Sequence, residues 1–497
     1  MDLSVLKKKE TLLTLVVTLG YIALNAHFMH KEFYLVNFLP VILGIVLLAF
    51  FSLDSLILLI VFLTPLSIPL SDILDGLSFD LALPTEPLLI GVTLLFVMKV
   101  LMEGKFDKKI LGHPVSLAIY LNLVWILITS ITSSMPMVSF KFFLARIWFL
   151  VAFYFIASQV FKDPAKMKTY IWLYVISFSL VIVYSLVRHV GLNLTQQTAH
   201  HVVQPFYNDH TSYGAMLAFF LPVLVGLKFT ETDFNMVKRI FHWIALGLFS
   251  VALVFSYTRA AWVSLAGAAV IFILMSLRIK FFHLLFLGVI LLGFIYSQRT
   301  EIFLQLEQNT QVSSDDLAEH IRSISNVAND ASNRERLNRW SCALRMFKEK
   351  PLFGWGPGTY MFNYAPFQLE REKTIISTNA ADLGNAHSEY IGPLSESGFP
   401  GAFTFILIVV MTIFTGFRIY NRSRDRKIRI FAMVLLLGLF TYYFHGVLNN
   451  FLDTDKASAV FWGFTAMIVI LDIRTMDESA GRLRDKFQSE DSDIIKD

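Results

Sequence analysis

Three stretches of this chain carry side chains able to do chemistry. The first is Asn385-Ala386-His387-Ser388-Glu389-Tyr390, followed by Glu396-Ser397-Gly398-Phe399-Pro400-Gly401 and an apolar run. It sets a histidine and a carboxylate at the entry to a hydrophobic segment. An imidazole that titrates near neutrality can take the proton of an attacking hydroxyl or orient it, and Glu389 can orient the imidazole in turn. The alternative is a helix entry whose polar residues face water. The second stretch is Ser256-Tyr257-Thr258-Arg259-Ala260-Ala261-Trp262, a tight turn between two apolar runs. A guanidinium held there either anchors at the headgroup level or gives two parallel hydrogen bonds to phosphate oxygens without losing its proton.

The third stretch opens with Ser332-Asn333-Arg334-Glu335, a capping-box pattern that predicts a helix start. Leu337, Trp340, Leu344 and Phe347 follow at three- and four-residue spacing, an apolar stripe able to lie on the membrane face, with Arg336 at its edge. Pro351 and Gly354 end that helix. Gly354-Trp355-Gly356-Pro357-Gly358 is then a turn-rich segment that brings backbone close to a ligand or only turns the chain, and its spacing is not that of a phosphate loop.

The elements that must position these residues follow from composition. With 55% hydrophobic and 16% charged residues and 47 Phe, the chain is not a soluble globule. It reads as an all-α polytopic membrane protein. Apolar runs long enough to cross a bilayer recur near 12–26, 34–52, 54–71, 87–102, 114–134, 143–161, 170–188, 212–228, 240–257, 260–278, 281–298, 398–417, 429–448 and 457–473, about 14 helices (12–14). Lys7, Lys8 and Lys9 precede the first run, which lacks a convincing cleavage site and reads as a membrane helix. Counting from a cytoplasmic N-terminus, Lys105/Lys108/Lys109, Lys162/Lys166/Lys168, Lys228/Lys238/Arg239, Arg278/Lys280 and Arg418 to Arg429 all fall inside. The opposite loops, Asp72 to Glu86 and Leu192 to His210, are acidic or neutral. The parts are then membrane helices over 1–297, a large outer loop with short helices over 298–386 between the eleventh and twelfth helices, membrane helices over 387–473, and a charged tail over 474–497 expected to be solvated and partly disordered. There is no nucleic-acid signature. The single cysteine, Cys342, excludes an internal disulfide and reads as a small apolar residue.

Together, the Tyr257-Thr258-Arg259-Ala260-Ala261-Trp262 turn, the segments Arg336-Leu337-Asn338-Arg339-Trp340 and Lys350-Pro351-Leu352-Phe353-Gly354-Trp355-Gly356-Pro357-Gly358, and Ala386-His387-Ser388-Glu389-Tyr390 with Glu396-Ser397-Gly398 resemble the O-antigen ligase and polymerase superfamily of bacterial envelopes. The resemblance covers roughly residues 205 to 420, and Phe206-Tyr207-Asn208-Asp209-His210 is similar to a weaker feature of it. Many members have Asn where this chain has Ser388. The resemblance implies a GT-C-like fold in the bacterial inner membrane, with both termini cytoplasmic and the active site on the periplasmic face. It implies a metal- and cofactor-independent inverting glycosyltransferase. The donor would be a glycan on undecaprenyl diphosphate and the acceptor a lipid A core sugar; another carrier-linked glycan (a polymerase) and a protein hydroxyl are the alternatives. By motif, the functional residues fall on Arg259, Arg336 and His387. Arg334 and Arg339 lie close enough to share the loop-arginine role, and Glu389, Tyr257 and His210 are expected to contact substrate. A rival metal-dependent chemistry would draw on Asp72, Asp75 and Asp80. A transporter would need charges within the bilayer, for which Arg146 and His445 are the candidates.

Overall fold

The computed structural model describes residues 3–73, 81–104, 106–230, 235–298, 331–374, 377 and 384–494. It comprises two compact units, Met1–Leu56 and Ile57–Asp497. The first holds α1 (Leu3–His30) and α2 (Leu39–Phe51), joined through a 3₁₀ turn at Tyr34–Phe38, with Asn25 Nδ2 donating to Asn37 Oδ1 at 2.7 Å. Most of the apolar side chains described on these helices are exposed.

From α3 (Leu53–Leu63) onward the chain forms a helical bundle. Its main helices are α4 (Thr85–Glu103), α5 (Pro114–Ile131), α6 (Pro136–Val160), α7 (Pro164–Gly191), α8 (Gln196–Val202), α9 (His210–Leu227), α10 (Met236–Phe255), α11 (Arg259–Ser276), α12 (Phe281–Ser297), α13 (Ala331–Glu349), α14 (Ile391–Arg422), α15 (Arg426–Leu448) and α16 (Asp455–Ile494). Their starts are written in local chemistry. Pro114 and Pro164 occupy first helical positions, where no N–H is needed, and the side chains of His113, Asp163, Asp209, Asn235 and Asp425 accept from free first-turn amides.

Eleven helices among the described residues are long and apolar enough to cross a membrane, and three shorter apolar helices, Val36–Phe51, Leu53–Leu66 and Phe281–Ile290, occupy the remaining expected runs. The run expected over 54–71 is not one helix. Pro65 and Pro69 cannot continue the ladder, so α3 gives way to a 3₁₀ turn at Thr64–Leu66 and then to β1 (Ile68–Pro69), which pairs antiparallel with β2 (Ala82–Leu83). The helix nearest the centre is α16: 94% of its most apolar window is buried, against 17% for α4. Apolar residues all round a helix demand such a place. Within α6, residues Val151–Ile156 form a buried π turn, a widening often found beside functional sites.

The two ends of the bundle differ in charge. At one end the basic segments converge: Lys109 meets Asp477 at 2.7 Å, Lys162 meets Asp107 at 2.7 Å, Lys168 Nζ donates to the Thr230 carbonyl at 3.2 Å, and Arg418 and His113 both bind Asp472. The β1–β2 hairpin and the starts of α9, α11 and α14 lie at the other. The charged tail departs from expectation, because α16 runs on without a break to Ile494. Extending a helix that already exists incurs no nucleation cost, and the tail is rich in good helix formers.

The segment after α12 is organised by α13. The described helix covers Ala331–Glu349, so Ser332 lies within it. The carboxylate of Glu335 is turned to Arg339, Thr374 and Ser377, away from the helix end it was expected to cap. The buried face of α13 is its polar and small-residue face, where Cys342, Ala343 and Met346 pack with Tyr360, Tyr364 and Ala386. Of the Leu337, Trp340, Leu344, Phe347 stripe, Leu344 is 44% exposed and the other three are half-buried. If that stripe meets lipid, an environment-sensitive dye on Leu344→Cys will emit at shorter wavelength in vesicles and be quenched by lipid-borne nitroxide. The same dye on Glu349→Cys, on the opposite side of the helix, will not. Cys342 is buried and will not compete for the label.

Candidate functional site

The arginine turn is built by three contacts. Tyr257 adopts a positive φ of 50°, and its hydroxyl donates to the Leu194 carbonyl at 2.8 Å. Thr258 Oγ1 donates to the His210 carbonyl at 2.9 Å. Gly214 on α9 leaves the room that Thr258 fills. Arg259 thereby becomes the first residue of α11, half-buried, at a helix N-terminus whose free amides favour anions. The ring of His210 lies 3.9 Å from that of His200, and Asp209 caps α9 through the Ser212 amide at 2.8 Å. Burial raises the Asp209 carboxyl pKa, but the Ser212 amide, the neighbouring His210 and the Thr211 and Ser212 hydroxyls outweigh it and hold the group below the usual range.

His387 is set between α13 and α14. Its backbone has φ of 47°, a conformation uncommon outside glycine. Asn385 Oδ1 secures it by accepting from its amide at 3.0 Å, and its carbonyl accepts from Trp340 Nε1 at 3.4 Å. Burial pushes the imidazole pKa down to about 4; Arg336 and Arg339 act in the same direction, and Asp209 and Glu335 oppose them. From α15, His445 interacts electrostatically with Arg336 and Asp209, and its ring meets the main chain of Ala260, next to Arg259. Asn449 Nδ2 holds its Nε2 at 3.1 Å. Arg336, His387, Asp209 and His445 therefore form one cluster at the foot of α11.

The other expected residues separate. Arg339 is buried, paired with Glu335 at 2.6 Å and stacked 4.0 Å from the Tyr364 ring, so it holds α13 to the rest of the segment. Arg334 sits half-buried on the first turn of α13. Glu389 does not serve as the orienting partner of His387. Its Oε1 accepts from the Tyr442 hydroxyl at 2.6 Å and from the amides of Phe451 and Leu452 at 2.9 and 2.8 Å, which pins the start of α14 to the α15–α16 connection. The backbone at His387, with φ of 47°, is not extended, so the two residues do not share a face as i and i+2 of a strand would.

Burial, with Asp453 adding to it, lifts the Glu389 carboxyl from 4.5 to about 7, against the Tyr442 hydroxyl, Arg146 and the Leu452 amide. A folded-state pKa above the unfolded one stabilises below about pH 4.5, and that contribution is lost as pH rises to about 7. Glu389→Gln should flatten this part of the melting-temperature profile. Glu389→Ala, which leaves three buried donors unanswered, should cost roughly 3 kcal/mol or more at any pH, read by thermal unfolding in detergent.

In Gly354-Trp355-Gly356-Pro357-Gly358 all three glycines have positive φ. The segment docks main chain to main chain on the start of α14. Trp355 N donates to Ser395 O at 3.0 Å, Gly356 N to Glu396 O at 2.7 Å and Phe399 N to Pro351 O at 2.9 Å. Glu396 Oε1 accepts from the Tyr360 amide at 3.0 Å.

Beside the cluster opens a cavity of about 370 Å³, lined by Asp209 and Asn385 and by Asn450, Phe451 and residues 453–457. Sequence reasoning missed Asp453 there, and it left Asp209 unassigned within a motif it had noticed. Arg146, noted only as a charge within a helix, interacts with Glu389, Glu396 and Asp453. Of the rival metal ligands, Asp72 is exposed, while Asp75 and Asp80 lie outside the described residues. Among the described residues no three His, Cys, Asp or Glu side chains group as a metal site.

A family model described as O-antigen ligase matches residues 244–406, about a third of the chain. No curated protein matches the sequence. The matched span begins within α10, carries the Arg259 turn and α13, and ends in α14, so it holds Arg336 and His387 together with the docking glycines. The chain thus carries an O-antigen ligase domain over residues 244–406, which supports the O-antigen ligase and polymerase superfamily.

Proposed function

We propose that this protein is a metal-independent glycosyltransferase that moves a glycan from undecaprenyl diphosphate to a hydroxyl on the periplasmic side of the bacterial inner membrane, with a lipid A core sugar as acceptor. The observation that supports this best is the convergence of Arg336, His387, Asp209 and His445 beside the N-terminus of α11, where Arg259 sits. The basic segments at the opposite end of the bundle support a periplasmic site and cytoplasmic termini.

In the reaction, the anomeric carbon–oxygen bond to the diphosphate breaks and negative charge grows on the leaving oxygens. Arg336, Arg259 and the α11 amides are fixed donors for that charge. The acceptor oxygen attacks the opposite face of the anomeric carbon, so the configuration inverts, and His387 receives its proton. Burial, with the neighbouring Arg336 and Arg339 guanidinium groups adding to it, keeps His387 neutral near pH 7. A bound diphosphate offsets the charge of Arg336 and raises the basicity of the imidazole, so the base gains strength when the donor is in place.

The test is glycan transfer by the purified full chain in detergent with EDTA, from a polyprenyl-diphosphate glycan, with lipid A core and a second carrier-linked glycan offered separately. Product formation in EDTA is expected, and the acceptor consumed distinguishes ligase from polymerase. No turnover with either acceptor, from folded protein that binds donor, would overturn the proposal.

A further inference from the structure

We propose that the cavity beside the Arg336–His387 cluster is a saccharide subsite for an uncharged or amino-bearing sugar ring, with Asp453 as the carboxylate that accepts from its hydroxyls. This rests on the transferase reading above and assigns a substrate class to part of that site. The cavity, about 370 Å³, is of a size for a small ligand, where roughly 300–1,000 Å³ is usual. Its walls combine the amides of Asn208, Asn385 and Asn450 with the Asp453 carboxylate and the Phe451 side chain. Amides both give and accept hydrogen bonds and a carboxylate only accepts, which suits neighbouring hydroxyls that do both. An aromatic face suits the apolar side of a sugar ring.

Among the carboxylates of the cavity, Asp453 is the one open to a ligand. Asp455 accepts from Ser67 Oγ at 2.6 Å and Thr85 Oγ1 at 2.5 Å, Asp209 caps α9, and Glu86 Oε2 accepts from the Ala82 amide at 3.1 Å. Asp453 lies exposed in the cavity, and its one hydrogen-bonding neighbour among the described residues is its own main-chain amide. Protein nonetheless surrounds it closely enough for burial to raise its carboxyl pKa, with Arg146 opposing.

Charge decides the class of ligand. Among the described residues, Glu86, Asp209, Asp453 and Asp455 line the cavity against Lys456 alone. The Lys456 ammonium is already committed to Ser67 O, Ser67 Oγ and Asp455 Oδ1 at 3.2, 2.6 and 3.3 Å. A phosphate or a uronic acid would meet like charge there. Arg259 and Arg336 are not among the described lining residues and Arg146 reaches the cavity only electrostatically, through Asp453, so the site divides into a cationic part for the diphosphate and an anionic part for a sugar.

The experiment uses saturation-transfer NMR on the full chain in detergent, with three free disaccharides of matched size: an N-acetylated one, one with a free amine and one containing glucuronate. Wild type should bind the first two at least about tenfold better than the third. Asp453→Ala should weaken both by about tenfold, the usual effect of losing a charged hydrogen-bond acceptor, and Asp453→Lys should reverse the preference toward glucuronate. The same variants in the transfer assay should raise KM for one substrate, and which KM moves, donor's or acceptor's, names the sugar that sits there. Equal binding of all three sugars, or unchanged binding and unchanged KM in variants that melt like wild type, overturns the subsite. Wild type that binds the sugars but transfers nothing would instead sink the transferase reading.

Discussion

Arg336→Ala is expected to lower glycan transfer by a factor of about 10²–10³ while leaving the melting temperature close to wild type. That factor is typical for removing one fixed donor from a charge that develops in the transition state. Arg336 interacts with both His387 and His445, so its loss removes the cation at the centre of the cluster. Arg336→Lys should recover part of the rate, because a point charge replaces a planar fork. Arg339→Ala should behave oppositely. Its guanidinium is buried against Glu335 and Tyr364, and removing it leaves a buried carboxylate without its cation, so loss of stability, roughly 3 kcal/mol or more, precedes any change in rate. Equal rate losses in Arg336→Ala and Arg339→Ala at equal stability would refute this division.

His387 adds a pH signature to the same experiment. In the donor-free protein its proton should be lost at about pH 4, observable by histidine NMR, and His387→Gln should remove that signal. Because the folded-state pKa lies below the ordinary 6.5, the unfolded chain binds more protons between those values. Stability from this group is present above about pH 6.5 and is lost as pH falls through the window to about 4. Adding a polyprenyl-diphosphate glycan should move the titration upward. Arg336→Ala should move it upward without donor.

Gly398→Ala is expected to unseat the segment after α13 from α14. Gly398 has φ of 68°, and a Cβ there would overlap the Leu352 carbonyl, which is main chain and cannot swing aside. Gly354 poses the same problem from the other partner, with φ of 68° and a Cβ that would overlap the Glu396 carbonyl. Each substitution combines an unfavourable backbone conformation with a backbone clash, together roughly 3 kcal/mol or more. The readouts are faster limited proteolysis between α12 and α14 and loss of transfer. Gly392→Ala is the control, since a Cβ there meets only Ala386 Cβ at 3.7 Å, and it should melt like wild type.

The fold was legible because lipid is a demanding solvent: long apolar runs have one satisfactory structure, and the runs read from the sequence fall on helices. Reading failed where another rule won. Pro65 and Pro69 broke an apolar run that hydropathy alone joins, and helix continuity carried α16 through residues whose polarity suggested disorder. Within the site, the family resemblance brought Arg259, Arg336 and His387 into view, but it said nothing of partners distant in the chain. Asp209, His445 and Asp453 reach the same place from three separate helix ends, and only the packing of α9, α15 and α16 joins them. Glu389 lay two residues from His387 and proved to serve the scaffold.

The contacts that seat residues 351–358 on α14 have an evolutionary consequence. Trp355, Gly356 and Phe399 donate, and Ser395, Glu396 and Pro351 accept, all through the main chain. Main-chain bonds place no demand on side-chain identity except at the glycines, where there must be none. The surrounding positions are therefore free to drift, and the surface offered to a glycan can be rewritten in related proteins without moving the register in which Arg336 and His387 face each other.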